Sequence, residues 1–356
     1  MLELGLALGS YRVYHTAGRM LILRRYRTPV AVCQSAYRAH HSTETAILKV
    51  TSDILSALDS GDLALLTLLD LSAAFDTVDH VILLQRLKTS YGISGPVLGW
   101  LTCYLSNRTQ FVQRGSSQSK PSAVICGVPR GSVLRPILFL LYTIDLARLA
   151  ATHGLHVHLY ADDTQVYGSC HTDGVAPLQD VVSTCVGDMS TWMRSNRLQL
   201  NTKKTEVLWC TSSRRQDQIP AIPLHIGTDN VMPISSVPDL GVYLNADLMS
   251  MATHISRMVV SCFGILRQIR SVQRSLPRHA VTSLVTSLVL TRLDYCNSVR
   301  AGLPANLLNR LQTVINPAAR LICSARKSEH ITPNTDGPPL AAYPRENPVQ
   351  TLCPGV

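Results

Sequence analysis

Long apolar runs are missing from this chain of 356 residues. None approaches the ~18–20 residues that a membrane-spanning helix needs, so no such helix is expected. The opening Met1-Leu2-Glu3-Leu4-Gly5 has no positive n-region, which argues against a secretory signal. Paired cysteines are missing too. The 10 cysteines are scattered, with no Cys-x-x-Cys and no zinc-type spacing, and read as reduced core residues of an intracellular protein. His153, His156 and His158 with Cys170 do not make up a zinc site, because His156 and His158 share one face of a strand. Acid is scarce: 23 Asp and Glu stand against 33 Lys and Arg, a formal charge of +10 that favours a polyanionic partner. Apolar residues, at 46%, are present in the ordinary globular amount, which excludes a disordered chain. The length suffices for two or three subdomains.

Residues 1–30 have no clean period, and Arg24-Arg25-Tyr26-Arg27 reads as a solvated basic cluster. From Ser42 a capped helix is expected, with Glu44 in its first turn, apolar residues at helical spacing and Ser60-Gly61 at its end. Leu63 to Leu69 is a continuous apolar run of strand length, as in a strand buried on both faces. Asp79 can cap the next helix, and Pro96 opens another containing Trp100. Thr109–Val112 and Ala123–Cys126 read as strands joined by a Gly/Ser loop. A glycine-flanked loop, Gly127 to Ser132, precedes an apolar helix through Leu138, Leu141 and Leu146. Val181 to Leu198 reads as a helix whose Met189, Trp192 and Met193 face the core. Lys203 to Trp209 turns into a strand, Pro220 to Pro238 reads as loop, and Leu240 to Tyr243 as another short strand. From about Met251 to Ser324 the chain is helical and rich in arginine, either a solvated face or a subdomain lying against nucleic acid. After Pro333 it becomes a Pro-rich, disordered tail.

The chemistry concentrates at Leu159-Tyr160-Ala161-Asp162-Asp163. Short strands flank the two acids, His156–Tyr160 before and Thr164–Tyr167 after. Side chains alternate along a strand, so only at a turn can consecutive acids lean toward one spot. Two like charges that close raise one pKa unless a cation holds them. Hard oxygen ligands of this kind suit Mg²⁺. A surface hairpin could carry the same letters, and a third carboxylate decides between the two. Asp70, at the end of the buried strand, supplies it, since an acid there is costly without a partner. Three such acids can hold two divalent ions about 3.5–4 Å apart, the arrangement of phosphoryl transfer.

Around these acids, Gln34-Ser35-Ala36-Tyr37-Arg38, His41–Ala46, Leu69–His80 and Tyr160–Thr164 resemble the reverse transcriptases of LINE-type retrotransposons, which lack long terminal repeats. Leu198–Asn201, Lys204–Leu208 and Thr291–Asn297 are similar as well, so the resemblance covers roughly residues 31–333 in the family's order. It implies an α+β fold with a right-hand polymerase palm (an antiparallel sheet with helices on one face), partial fingers and a helical thumb. The implied function is RNA-directed DNA polymerisation on an RNA template, from a DNA primer or target and deoxynucleoside triphosphates. Two Mg²⁺ ions, or Mn²⁺, would serve it. By position the metal ligands are Asp70, Asp162 and Asp163, helped by the Leu71 carbonyl, with Tyr160 and Ala161 beside the nucleotide. Phe75 matches the bulky residue that excludes a 2′-hydroxyl, and otherwise reads as a core aromatic. Gly127, Pro129, Arg130, Gly131 and Ser132 match the loop under the incoming nucleotide, and Lys204 the lysine that protonates the departing pyrophosphate. Leu240-Gly241 resembles the primer-gripping turn. Asp76 and Asp79 read as structural helix-start acids. Nuclear action and a companion protein of the element follow from the resemblance alone.

Three residues depart from the family pattern. Arg130 stands where Gln is usual, Arg135 where Gly is usual, and Pro317 inside a helix where Ala is preferred. No counterpart of the fingers, with their triphosphate-binding arginine, is recognisable in residues 1–30, and no endonuclease domain is present. The expected division is an unassigned segment (1–30), partial fingers and palm (31–225), primer-grip turn and thumb-like helices (226–333) and the tail (334–356). Such a fragment is either a polymerase or an inactive remnant that at most binds nucleic acid. An RNA-dependent RNA polymerase would share the metal logic, but Phe75 and Tyr160-Ala161 speak against it.

Overall fold

A computed structural model describes residues 33–324 apart from Thr228 and Met249. The basic cluster at 24–27 and the Pro-rich tail lie outside the described residues. The chain divides into two compact units: residues up to 42 with 65–207 and 222–232, and residues 43–64, 208–221 and 233 onward. The chain crosses from one unit to the other several times.

The helical and strand periods place most elements where the sequence puts them. Helix α1 is Thr43–Asp59, with Glu44 in its first turn. Strand β1 is Leu63–Leu69, and every side chain but Leu68 is buried, which is why the run carries no polar alternation. Burial of each leucine contributes about 2 kcal/mol, enough to fix the strand's end tightly. Helix α2, His80–Thr89, is capped by Asp79, whose carboxylate accepts from Ile82 N at 3.0 Å. Helix α3 is Gly95–Leu105, with Pro96 in its first turn. The two strands expected near residues 109–126 are shorter than the letters suggest: Thr109–Gln110 (β2) pairs with Ser122–Ala123 (β5) around Gln113–Arg114 (β3) and Ser117–Gln118 (β4). All four are exposed, so nothing packs them into longer strands.

Helices α4 (Leu134–Thr143) and α5 (Asp145–Thr152) lead to β6 (His156–Tyr160) and β7 (Asp163–Cys170), which pair antiparallel in the register Tyr160↔Asp163. Helix α6, Val175–Ser195, buries Met189 and Met193; Trp192, expected in the core, is half-exposed and lies under the Arg86 guanidinium. Strand β8 is Glu206–Cys210, and the four-stranded sheet runs β6-β7-β1-β8. Its central position for β1 is what a two-sided apolar strand requires. The stretch read as loop at 220–238 contains a hairpin, β9 (Leu224–Ile226) with β10 (Asp229–Val231), and the start of β11 (Ser236–Asp239). Strand β12 (Val242–Asn245) pairs with β11, so Leu240-Gly241 is the hairpin tip and not strand.

In the second unit, α7 (Ala252–Val272), α8 (Arg278–Val285), α9 (Thr291–Asp294) and α10 (Ala305–Cys323) form a helical bundle. Its core holds Ile255, Cys262, Val285, Val289 and Val314. Pro317 lies within α10 without ending it.

Candidate active site

Asp70 leaves β1 at the middle of the sheet. The chain beyond it bridges to Leu200: Asn201 N donates to the Asp70 carbonyl and Ser72 N to the Gln199 carbonyl, each at 2.9 Å. This is the non-hydrogen-bonded type of antiparallel pair, so the ladder does not use the Leu71 carbonyl. Lys204 Nζ lies 3.2 Å from Asp70 Oδ2. The approach is ionic and not an aligned hydrogen bond, because the buried Oδ2 has no hydrogen-bond donor.

The β6–β7 tip supplies the other two acids. The turn is Ala161-Asp162, and Asp163 opens β7 instead of sitting in the turn. Ala161 takes a left-handed φ of 59°, a conformation costing about 1 kcal/mol for a residue with a Cβ. Burial first, with repulsion from Asp70, raises the Asp162 pKa; a backbone hydrogen bond to its own carboxylate and the charges of Arg135 and Lys204 act against this. Asp163 keeps an exposed surface yet is crowded on its protein side. Desolvation, followed by repulsion from Asp162 and Asp70, pushes it up to about 6. The three acids therefore share one electrostatic neighbourhood. They are not closed round a common point: among the described residues no three carboxylate, imidazole or thiol groups form a ready-made metal site. The three histidines near this hairpin go separate ways, His153 to Asp188 at 3.0 Å, His158 to Ser35 and Gln165, and His156 stacked on Tyr167.

The loop from Gly127 is laced to the segment after β1. Gly127 N donates to the Val78 carbonyl at 2.8 Å and Val128 N to the Phe75 carbonyl at 3.1 Å. At φ 79°, a Cβ on Gly127 would stand 2.7 Å from the Asp76 carbonyl oxygen, so only glycine fits. Gly131 is also left-handed, with open space around it, and Ser132 Oγ accepts from Arg135 N at the start of α4. Asp76 is no helix-start acid. It pairs with Arg130, and with Arg135 Nη2 at 3.2 Å, and Arg130 holds its carboxyl below the usual range. Phe75 packs on Phe139 at a ring distance of 4.2 Å, and the Arg135 guanidinium lies 4.9 Å over its ring.

Tyr37 and Arg135 are the neighbours that sequence reasoning left without a role. Residues 33–35 run along β6, with Leu159 N donating to the Cys33 carbonyl at 2.7 Å and Ser35 N to the Leu159 carbonyl at 3.0 Å. This carries Tyr37 toward the acids: burial and the charge of Asp162 raise its phenol pKa. The run Gln34–Arg38 was the available signal.

In the second unit the tip residues Leu240 and Gly241 both have positive φ, 45° and 85°. A groove of about 940 Å³ there is lined by Gly241, Tyr243, Arg257, Arg292 and Tyr295.

Compared with known proteins, residues 9–226 match the family described as reverse transcriptase (RNA-dependent DNA polymerase), more than half of the chain. The chain belongs to the reverse transcriptase family. The match begins inside the segment that the sequence left unassigned. Among relatives, the "Probable RNA-directed DNA polymerase from transposon BS" of Drosophila melanogaster is 28% identical over 67% of this chain and 26% of its own length. That from transposon X-element is 32% identical over 60% and 23%. The RNA-directed DNA polymerase from mobile element jockey of Drosophila funebris is 30% identical over 48% and 20%. The chain thus spans about a quarter or less of these curated relatives, which agree with the LINE-type resemblance. Telomerase from Candida albicans, solved with a fragment of telomeric RNA, is 13% identical over 92% of this chain and 58% of that one, with a TM-score of 0.48. Among the described residues no helix is long and apolar enough to cross a membrane.

Proposed function

We propose that this chain is the polymerase core of a LINE-type RNA-directed DNA polymerase, adding deoxynucleotides to a primer 3′-hydroxyl on an RNA template. One observation carries it: at the hairpin tip, burial and then the charge of Asp70 from the central strand raise the proton affinity of Asp162 and Asp163, and Asp162 adds to this at Asp163. A protein does not gather such repulsion cheaply, and a counter-cation relieves it. The donor set is all hard oxygen, and Asp70 Oδ2 is buried without a donor, so these residues fit Mg²⁺ or Mn²⁺. When bound, a pair of such ions supplies charge neutralisation at the triphosphate and a more acidic primer hydroxyl. Asp70, Asp162 and Asp163 would hold them, with the Leu71 carbonyl as a fourth oxygen outside the ladder.

The remaining residues bind, orient and exclude. Lys204, beside Asp70, holds a proton on Nζ that it can give to the departing pyrophosphate. Phe75, fixed by Phe139, sets the width of the sugar site and rejects a 2′-hydroxyl by volume. Gly127, Pro129, Arg130, Gly131 and Ser132 form the platform for the incoming nucleotide, and Tyr160 and Ala161 flank it. Template, primer and deoxynucleoside triphosphates are the partners, and the action is nuclear, on the family's pattern. Primer extension on RNA tests this: wild type extends in Mg²⁺, and equal extension by Asp162→Asn would refute the role of the acids.

A second reading has its own observation. The Arg135 guanidinium lies over the Phe75 ring, the face that a nucleotide's sugar would meet. If that cation blocks the site, the chain binds nucleic acid without extending a primer. The double change Arg130→Gln, Arg135→Gly would then switch extension on; no gain from it would dismiss the blockade.

A further inference from the structure

Two runs of the family resemblance, His41–Ala46 and Thr291–Asn297, have no part in the catalytic reading. Within the second unit, Thr43 of the first run and the second run meet at the Leu240-Gly241 turn. The turn joins β11 to β12 with positive φ at both central residues, the type I′ pattern that favours Asn-Gly. Leucine at the first position is strained there, and a strained residue with a side chain persists only where its surroundings over-determine it.

Tyr295 supplies that determination. Its phenol oxygen lies 2.7 Å from the Leu240 carbonyl and 3.0 Å from Thr43 Oγ1. A carbonyl can only accept, so the single phenol proton goes to Leu240, leaving Oη free to accept from the Thr43 hydroxyl. Cys296 Sγ stands 3.8 Å from Thr43 Oγ1 and can extend the relay. Glu44 anchors the far side by accepting from Ser298 N at 2.7 Å. The tyrosine ring also covers Gly241: a Cβ there would meet its Cε1 at 3.2 Å. Tyr295 remains 40% exposed and lines the groove that holds Arg257 and Arg292, so what it fixes faces solvent.

We propose that Tyr295 is a positioning residue: its phenol holds the Leu240-Gly241 backbone in the one conformation that grips the 3′ end of a primer strand. This rests on the polymerase reading. The test is fluorescence anisotropy of the full chain with an RNA template carrying a recessed DNA primer, and with a blunt duplex of equal length. Wild type prefers the recessed end. Tyr295→Phe keeps the ring and loses one hydrogen bond, and should weaken binding to the recessed end about fivefold with blunt binding unchanged. Adding Leu240→Asn, which adopts the left-handed region unaided, should restore the preference. An unchanged ratio in Tyr295→Phe, or equal losses on both duplexes, overturns the proposal. A wild type without end preference overturns it together with the primer reading, whereas intact preference without extension leaves it standing and removes only catalysis.

Discussion

Two hairpin tips in this chain force a residue with a side chain into the left-handed region, and they resolve the cost differently. At Ala161-Asp162 only the first residue has positive φ; at Leu240-Gly241 both do. The second tip is satisfied from within, by the Tyr295 phenol on the Leu240 carbonyl. The first is left unsatisfied: burial and like charge crowd its acids, and a backbone hydrogen bond at Asp162 with the charges of Arg135 and Lys204 only tempers this. A closed account at one tip reads as positioning. An open one reads as a place where something from outside must bind.

The largest effect should therefore come from removing charge at the open tip. Asp162→Asn removes one of the proposed metal ligands, and on that proposal should cost about 10³ or more in extension rate, several kcal/mol at the transition state. The same change relieves repulsion, so thermal melting in excess chelator should show the variant at least as stable as wild type. A variant that is both inactive and less stable would place Asp162 among ordinary structural acids and erase the contrast.

The sequence made β1, the Asp79 cap and the positions of Asp70 and Asp162 legible, because each follows from a local period or a local cost, whereas Asp163 lies one place past the turn, in β7. A two-sided apolar run can only be a buried strand, and an acid at its end stands out. Arg130, Arg135 and Asp76 were not legible. Their pairing joins residues 54 and 59 positions apart, and no local pattern reports it. Leu240 misled for a related reason: Leu240-Gly241-Val242-Tyr243 looks like strand until Tyr295, 55 positions on, is known to hold its carbonyl. Pro317 warned of a helix break that α10 does not make.

The satisfied tip should be sensitive to acid. His254, in α7, accepts from Tyr243 N in the adjoining β12 at 3.4 Å, and its other ring nitrogen is buried without a partner. Burial first, then the Arg300 charge, lowers its pKa to about 4. The unfolded chain, with an ordinary histidine near 6.5, binds the extra proton first as pH falls. Stability is thus complete above that value and drains away between about 6.5 and 4. By pH 5 the loss is about 2 kcal/mol. The raised carboxylates Asp162 and Asp163 gain stability over the same range, in wild type and variant alike. Urea melts at pH 7 and 5 should therefore show wild type losing about 2 kcal/mol relative to His254→Asn, whose amide oxygen can still accept from Tyr243. The same pH response in wild type and variant would assign the acid sensitivity elsewhere.

The smallest effect separates strain from function at the open tip. Ala161→Gly removes the Cβ that makes φ 59° unfavourable, a gain of about 1 kcal/mol, against glycine's extra freedom when unfolded. The net should be a stabilisation of about 0.5 kcal/mol or less, with extension kept within about twofold. If Ala161 instead helps to seat the nucleotide by its methyl group, stability will still rise, but the KM for deoxynucleoside triphosphate will rise with it. At Leu240 the parallel exchange to Asn should stabilise wild type hardly at all, because Tyr295 already offsets the strain there. Equal gains at the two tips would mean that the phenol contributes nothing to the turn, and the difference between an open and a closed hairpin would lose its physical basis.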